Sequence, residues 1–214
     1  MKKQNMNRSR LLGFTQLSVL LAIEIIVCFT PLGTLPAIGS LNATLSHIPV
    51  IIAALLLGSM AGAFMGFAFG ACSFIYWSFV NPGIFSFIYT PFYQLGEYKG
   101  NVFSLVICFV PRILIGLVCY GVYKLLSRTR LPESASCFIA GAAGSLTNTV
   151  LVLSGIYVFF GKEYLTLATD GSKALAAVLM LTVLTNGIPE AVLGGLAGSF
   201  IARPVKKMIK RYMK

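Results

Sequence analysis

Charge is what this sequence has least of. Asp, Glu, Lys and Arg together make up 11% of the chain, and only 6 residues are acidic, whereas about a quarter of a soluble globular domain is charged. A surface facing water needs more polar side chains than that, so a soluble domain is excluded. Histidine occurs once, at His47. Without an HExxH pair or a GxSxG turn, zinc hydrolysis and serine acyl transfer have no basis in the sequence. The nearest thing to a phosphate-binding loop has five residues between Gly155 and Gly161 where the Walker pattern requires four, and Glu163 follows Lys162 where Ser or Thr is required. It is not a nucleotide site. No CxxC spacing links the 5 cysteines, Cys28, Cys72, Cys108, Cys119 and Cys137, each in or beside an apolar run. They are packing thiols, and neither a metal nor any other cofactor is implied.

What the chain does have is apolar length. Hydrophobic residues make up 57% of its 214 positions, and the mean hydropathy is +0.85. A bilayer core of about 30 Å needs roughly 20 helical residues, and runs of about that length lie at 11–30, 41–58, 61–80, 102–126, 136–160 and 174–202. Their continuous hydrophobicity, without period-two alternation, excludes a strand barrel. The first run is a full span with no small-x-small site after it, so it is no cleaved signal, and Thr30 to Gly33 is a turn. Gly58 to Gly62 leaves room only for a tight helical hairpin. The expected fold is therefore an all-α integral membrane protein, one domain over 1–214, with six transmembrane helices in a compact bundle.

Cytoplasmic ends of membrane spans accumulate Lys and Arg. Thirteen of the 17 cations fall in three clusters: Lys2, Lys3, Arg8 and Arg10; Lys124, Arg128 and Arg130; Arg203, Lys206, Lys207, Lys210, Arg211 and Lys214. With six spans all three clusters share one side, so both termini are expected in the cytoplasm of a cell-membrane protein. The net charge of +11 then reports topology and contact with anionic lipid, and a nucleic-acid partner is not indicated. On the other side, residues 81–101 mix six aromatic residues with prolines and glycines. Such a segment serves either as an interfacial aromatic belt or as a lid, and with the apolar loop before the second run it is expected to pack back on the helices.

Ionisable groups inside a membrane are costly and are retained where they face protein or water. The runs contain Glu24, Arg112 and Glu190. Arg112 lies about ten residues into its run from the outside, Asn148 about twelve from the inside and Asn186 about twelve from the outside, which at about 1.5 Å per residue brings them to similar depth. Glu190 shares a helix face with Asn186 by i, i+4 spacing, and Pro189 between them removes a backbone donor. Structural roles are equally natural for single members: amide glue for the two Asn, an ion pair for Arg112 with Glu190, a wet crevice for Glu24, a cap for His47. Their common depth favours one polar pocket under an aromatic cover.

Six spans, the hairpin "HIPVIIAALLLGSMAGAFMGFAFG" from His47, "VPRILIG" around Arg112, "GSLTNTVLVL" around Asn148 and "TNGIPEAV" around Asn186 together resemble the substrate-binding S-components of energy-coupling-factor (ECF) vitamin transporters, in their pantothenate and riboflavin-like branch. The resemblance covers the whole chain. It implies a non-enzymatic transport subunit that captures a vitamin outside, docks on a transmembrane coupling subunit with two ATPases, and topples in the membrane. It places pocket residues at Arg112, Asn148 and Asn186 and a capping segment from Asn42 to His47. It also places the coupling contact on the first helix at Ser18 and Ala22, with serine where the family has alanine.

Arg112 suits a carboxylate, and pantothenate carries one. If Glu190 instead neutralises Arg112, a vitamin such as riboflavin, stacked on Trp77, Tyr89 or Tyr93, becomes comparable. Motif similarity favours pantothenate, with riboflavin and cobalamin as alternatives. The rival of another class is a membrane-embedded enzyme or assembly factor using Glu24 and Glu190.

Overall fold

Where water is absent, every backbone polar group must be satisfied within the segment, and long apolar runs therefore form helices. In the computed structural model, which describes residues 2–33, 44–169 and 174–212, five helices are long and apolar enough to cross a membrane. In chain order the helices are α1 (Lys2–Phe29), α2 (His47–Leu57), α3 (Ser59–Ile75), α4 (Val102–Leu126), α5 (Glu133–Phe159), α6 (Gly161–Thr169), α7 (Leu175–Thr182), α8 (Ile188–Leu196) and α9 (Arg203–Tyr212). The last three are one continuous helix, joined through wider π-type turns at Val183–Gly187 and Ala197–Ala202. Among the described residues the elements are helical, as in an all-α multi-pass protein, apart from a short β-ribbon, Gln94–Leu95 with Tyr98–Lys99.

The fourth run matches α4 at both ends. Three others depart from expectation, each for a physical reason. The helix in the second run begins only at His47 and has 11 residues, about 16 Å at 1.5 Å per residue and about half the ~30 Å hydrocarbon core. Its start is delayed because the Leu45 N–H bonds the Gly33 carbonyl at 2.8 Å and the Thr44 N–H bonds the Glu190 carboxylate at 2.6 Å, which spends both donors on distant partners. The third run starts at Ser59, directly after Gly58, and ends in a π-type turn in which the Asn81 N–H reaches the Tyr76 carbonyl at 3.0 Å. The sixth continues ten residues past 202 as α9, because Val205, Met208, Ile209 and Tyr212 keep helical spacing where overall hydropathy has gone.

Gly58 makes the predicted hairpin possible. Its φ of 102° lies where a side chain is strained, and a Cβ on Gly62 would meet the Ala54 Cβ at 2.7 Å. The hairpin packs on α4, which is flanked by α3 and α5, while α5 also meets α8, and α1 leans on α2 and α3. Two apolar clusters result, one around Ile51, Leu55, Met65 and Ile115, the other around Phe87, Ile107, Ile156 and Tyr164. The 81–101 segment belongs to the second cluster. Phe87 and Ile88 are fully buried, and the Ser104 hydroxyl in the first turn of α4 donates to the Phe87 carbonyl at 2.7 Å. It packs back on the helices as expected. Helix α6 lies in what the sequence presents as a loop, and its Tyr164 is buried against Phe85.

Candidate functional site

Between the two clusters lies a cavity of about 360 Å³, within the range of small-molecule pockets. Phe69 of the first cluster and Tyr89, Val152 and Leu153 of the second form its apolar walls. Arg112, Asn148, Thr149, Thr182, Asn186 and Glu190 supply its polar ones.

The Pro111-Arg112 pair builds the most distinctive wall locally. Proline has no N–H, so the carbonyl four residues earlier loses its helical donor. That carbonyl, on Ile107, accepts a hydrogen bond from Arg112 Nη1 at 2.7 Å. The guanidinium is thereby turned back along α4 and lies over the rings of Phe69 at 5.5 Å and Tyr89 at 5.2 Å. Its depth is set by the approach of α3, since a Cβ on Gly66 would strike the Arg112 carbonyl. Its Nε is buried without a partner. A buried donor left unpaired costs about 1 to 3 kcal/mol, so a ligand that accepts from it recovers that cost.

Glu190 does not supply that acceptor. No ion pair joins it to Arg112 among the described residues; its Oε1 accepts the Thr44 N–H at 2.6 Å. The His47 ring Nε2 faces the Glu190 backbone carbonyl at 3.1 Å. Both contacts fasten the start of α2 to α8 across more than 140 positions of sequence. The ion pair considered from the sequence is thus replaced by a tie between segments, because a backbone N–H at the head of a helix is a good carboxylate partner. Among the described residues no carboxylate pairs with Arg112. Moreover, Thr44 and Ser46 line the cavity, so the positive end of the half-length α2 opens toward it, a geometry suited to anionic groups.

Two further polar atoms are buried without partners in the same wall, Asn148 Oδ1 and Thr149 Oγ1. Arg112, Asn148 and Thr149 together offer donors and acceptors for a small molecule with one anionic end and several hydroxyl or amide groups. Among the described residues no group of three His, Cys, Asp or Glu could hold a metal ion.

The family described as "ECF transporter, substrate-specific component" matches residues 14–196. The chain belongs to that family. The "Pantothenic acid transporter PanT" of Lactococcus lactis subsp. cremoris (strain MG1363) is 35% identical to it over 195 residues, which is 87% of this chain and 96% of that protein. As an ECF substrate-specific component the chain is a transport subunit working with an ECF module.

In this substrate-specific component the residues singled out from the sequence fall in different places. Arg112, Asn148, Asn186, Glu190 and Trp77 line the cavity together. His47 sits behind Glu190, and Tyr93 is packed in the aromatic cluster, neither of them among the lining residues. Asn42 lies outside the described residues. Ser18 and Ala22 are exposed on α1. Glu24 is fully buried, accepts from the Cys28 thiol at 3.2 Å and does not line the cavity. The two intramembrane carboxylates therefore serve separate contacts, with Cys28 and Thr44. Sequence inspection missed Phe69, Thr149 and Thr182, and reached Thr44 only within the capping segment from Asn42 to His47. Thr149 adjoins Asn148 and Thr182 precedes Asn186 by one turn, so helical spacing from the two amides was the available signal; for Phe69 there was none.

Proposed function

We propose that this chain is the pantothenate-binding component of an ECF importer. The observation that carries this is the Arg112 guanidinium. It is held between Phe69 and Tyr89, has an unpartnered Nε, and shares its cavity with the unpaired oxygens of Asn148 and Thr149. Pantothenate has a carboxylate at one end, hydroxyls at the other and an amide between, which is the polar sequence such a wall accommodates. The name of the Lactococcus relative points to the same ligand. Riboflavin would need an open aromatic face, and Trp77 and Tyr89 already stack on each other at 5.6 Å and 23°.

The mechanism follows the topology read from the sequence. On that reading of six crossings, both termini and all three basic clusters lie in the cytoplasm against anionic lipid. The cavity end then faces outward and captures the vitamin there. The exposed Ser18 and Ala22 on α1 are small enough for close approach by a helix of the coupling subunit. Docking on that subunit and its two ATPases lets the component topple and deliver its ligand inside.

Calorimetry of the purified protein against pantothenate, riboflavin and cobalamin tests the ligand. Pantothenate alone is expected to bind tightly. Arg112→Gln is expected to weaken pantothenate about 10- to 100-fold, the worth of a charge-assisted hydrogen bond of about 1.5 to 3 kcal/mol. The same variant should change the affinity for the alcohol analogue of pantothenate about twofold at most. Binding of riboflavin or cobalamin in place of pantothenate would overturn the assignment.

A further inference from the structure

A second cavity, about 270 Å³, opens at the other end of α2, between the ends of α2 and α4 and helix α9. Two kinds of charge meet in it. The last four carbonyls of a helix lack donors within the helix. In α2 the Ala54 carbonyl takes the Gly58 N–H at 3.1 Å and the Leu55 carbonyl takes Lys206 Nζ at 3.3 Å. Leu56 and Leu57, the remaining two residues of that last turn, line the cavity. They present the negative end of the helix to a cation.

Across the cavity stand Lys124, exposed at the rim, and Ser127, while Lys206 reaches in from α9 to the Leu55 carbonyl. Lys206 is fixed there by the Tyr123 hydroxyl at 2.9 Å and lies over the Tyr123 ring at 4.1 Å. Two ammonium groups for an anion, one of them already on the Leu55 carbonyl, thus lie beside the two remaining residues of a helix terminus within one small pocket. From Lys124 an exposed stripe of α4 runs through Gly121, Leu117 and Val110 toward the middle of the bundle, and a Cβ at Gly121 would meet nothing within 4 Å.

We propose that this pocket seats the headgroup of a phosphoethanolamine lipid. Its phosphate meets Lys124 and Lys206, its primary ammonium meets the carbonyls of Leu56 and Leu57, and an acyl chain lies along the α4 stripe. A choline headgroup cannot donate hydrogen bonds to the carbonyls, and a glycerol headgroup brings no cation to the helix end. A free phosphate has no chain for the stripe. This site is independent of the vitamin cavity and of the choice of vitamin.

Native mass spectrometry of the full-length protein tests it, after delipidation and reloading with phosphatidylethanolamine, phosphatidylcholine or phosphatidylglycerol at equal concentration. One phosphatidylethanolamine is expected to be retained at about fivefold higher occupancy than either other lipid. Lys124→Gln should lower that occupancy about fivefold, and Arg130→Gln, at the same end but outside the pocket, by less than about twofold. Pantothenate affinity measured in parallel reports that each variant is folded. Equal retention of the three lipids, unchanged retention in Lys124→Gln, or displacement of the lipid by inorganic phosphate would each overturn the proposal.

Discussion

Helices α1 and α5 are both long enough to cross a bilayer, and the more apolar of the two is the less buried. The span Arg10–Phe29 has a mean hydropathy of 2.2 with 11% of its residues buried, while Glu133–Phe159 has 1.5 with 50% buried. In water the order would be reversed. Lipid tails are as apolar as Leu, so hydrophobicity does not pull one membrane helix onto another; small residues and polar contacts do. Helix α5 carries Ala140, Gly141, Gly144 and Ser145, all buried or nearly so, whereas α1 presents Leu11, Phe14, Val19 and Ile23 to its surroundings. Only Leu20 and Glu24 of α1 are buried among its described side chains. The helix held tightly lines the cavity with Asn148, Thr149, Val152 and Leu153, and the helix held loosely keeps an exposed apolar face.

The largest effect should come from spoiling the tight contact. A Cβ on Gly141 would strike the Gly194 carbonyl of α8, so Gly141→Leu is expected to leave little folded protein in detergent size-exclusion chromatography. Ala22→Leu on the exposed face of α1 should change stability by no more than about 0.5 kcal/mol. Next comes the functional side of the contrast. Ser18→Trp or Ala22→Trp is expected to abolish vitamin uptake by cells while leaving calorimetric affinity within about twofold of wild type. Normal uptake by both variants would move the coupling contact off this face of α1. The smallest effects belong to the wall on α5 and the last helix. Asn148→Ala and Asn186→Ala should each weaken pantothenate about tenfold, near the ~1.4 kcal/mol of one lost hydrogen bond, with unchanged melting behaviour. Full affinity in both would assign these amides to helix packing.

Much of this architecture was legible without coordinates, because it follows from local pattern. The ends of α4, the hairpin at Gly58 and the shared depth of Arg112, Asn148 and Asn186 depend on run length and helical rise. The Pro111-Arg112 pair was visible too, although the consequence was not. Helix geometry predicts that the Ile107 carbonyl loses its donor to the proline; that the guanidinium replaces it is decided by how the side chain packs. Other features were hidden because overall hydropathy is silent about them. Helix α9 continues past the apolar run on its Val205, Met208 and Ile209 spacing, and α6 forms in a segment with the composition of a loop.

Membrane class, helical fold and the basic asymmetry of the chain were determined by sequence alone, since apolar length and cation placement act residue by residue against the bilayer. Which groups meet was decided only in three dimensions. Glu190 could have neutralised Arg112, and instead it holds Thr44 at the head of a half-length α2. That choice leaves the guanidinium between Phe69 and Tyr89 with a buried, unpaired Nε. The physical reason is that an ion pair and a carboxylate–backbone bond have similar worth, so the geometry with which α2, α4 and α8 pack, and not the composition of any of them, selects between the two.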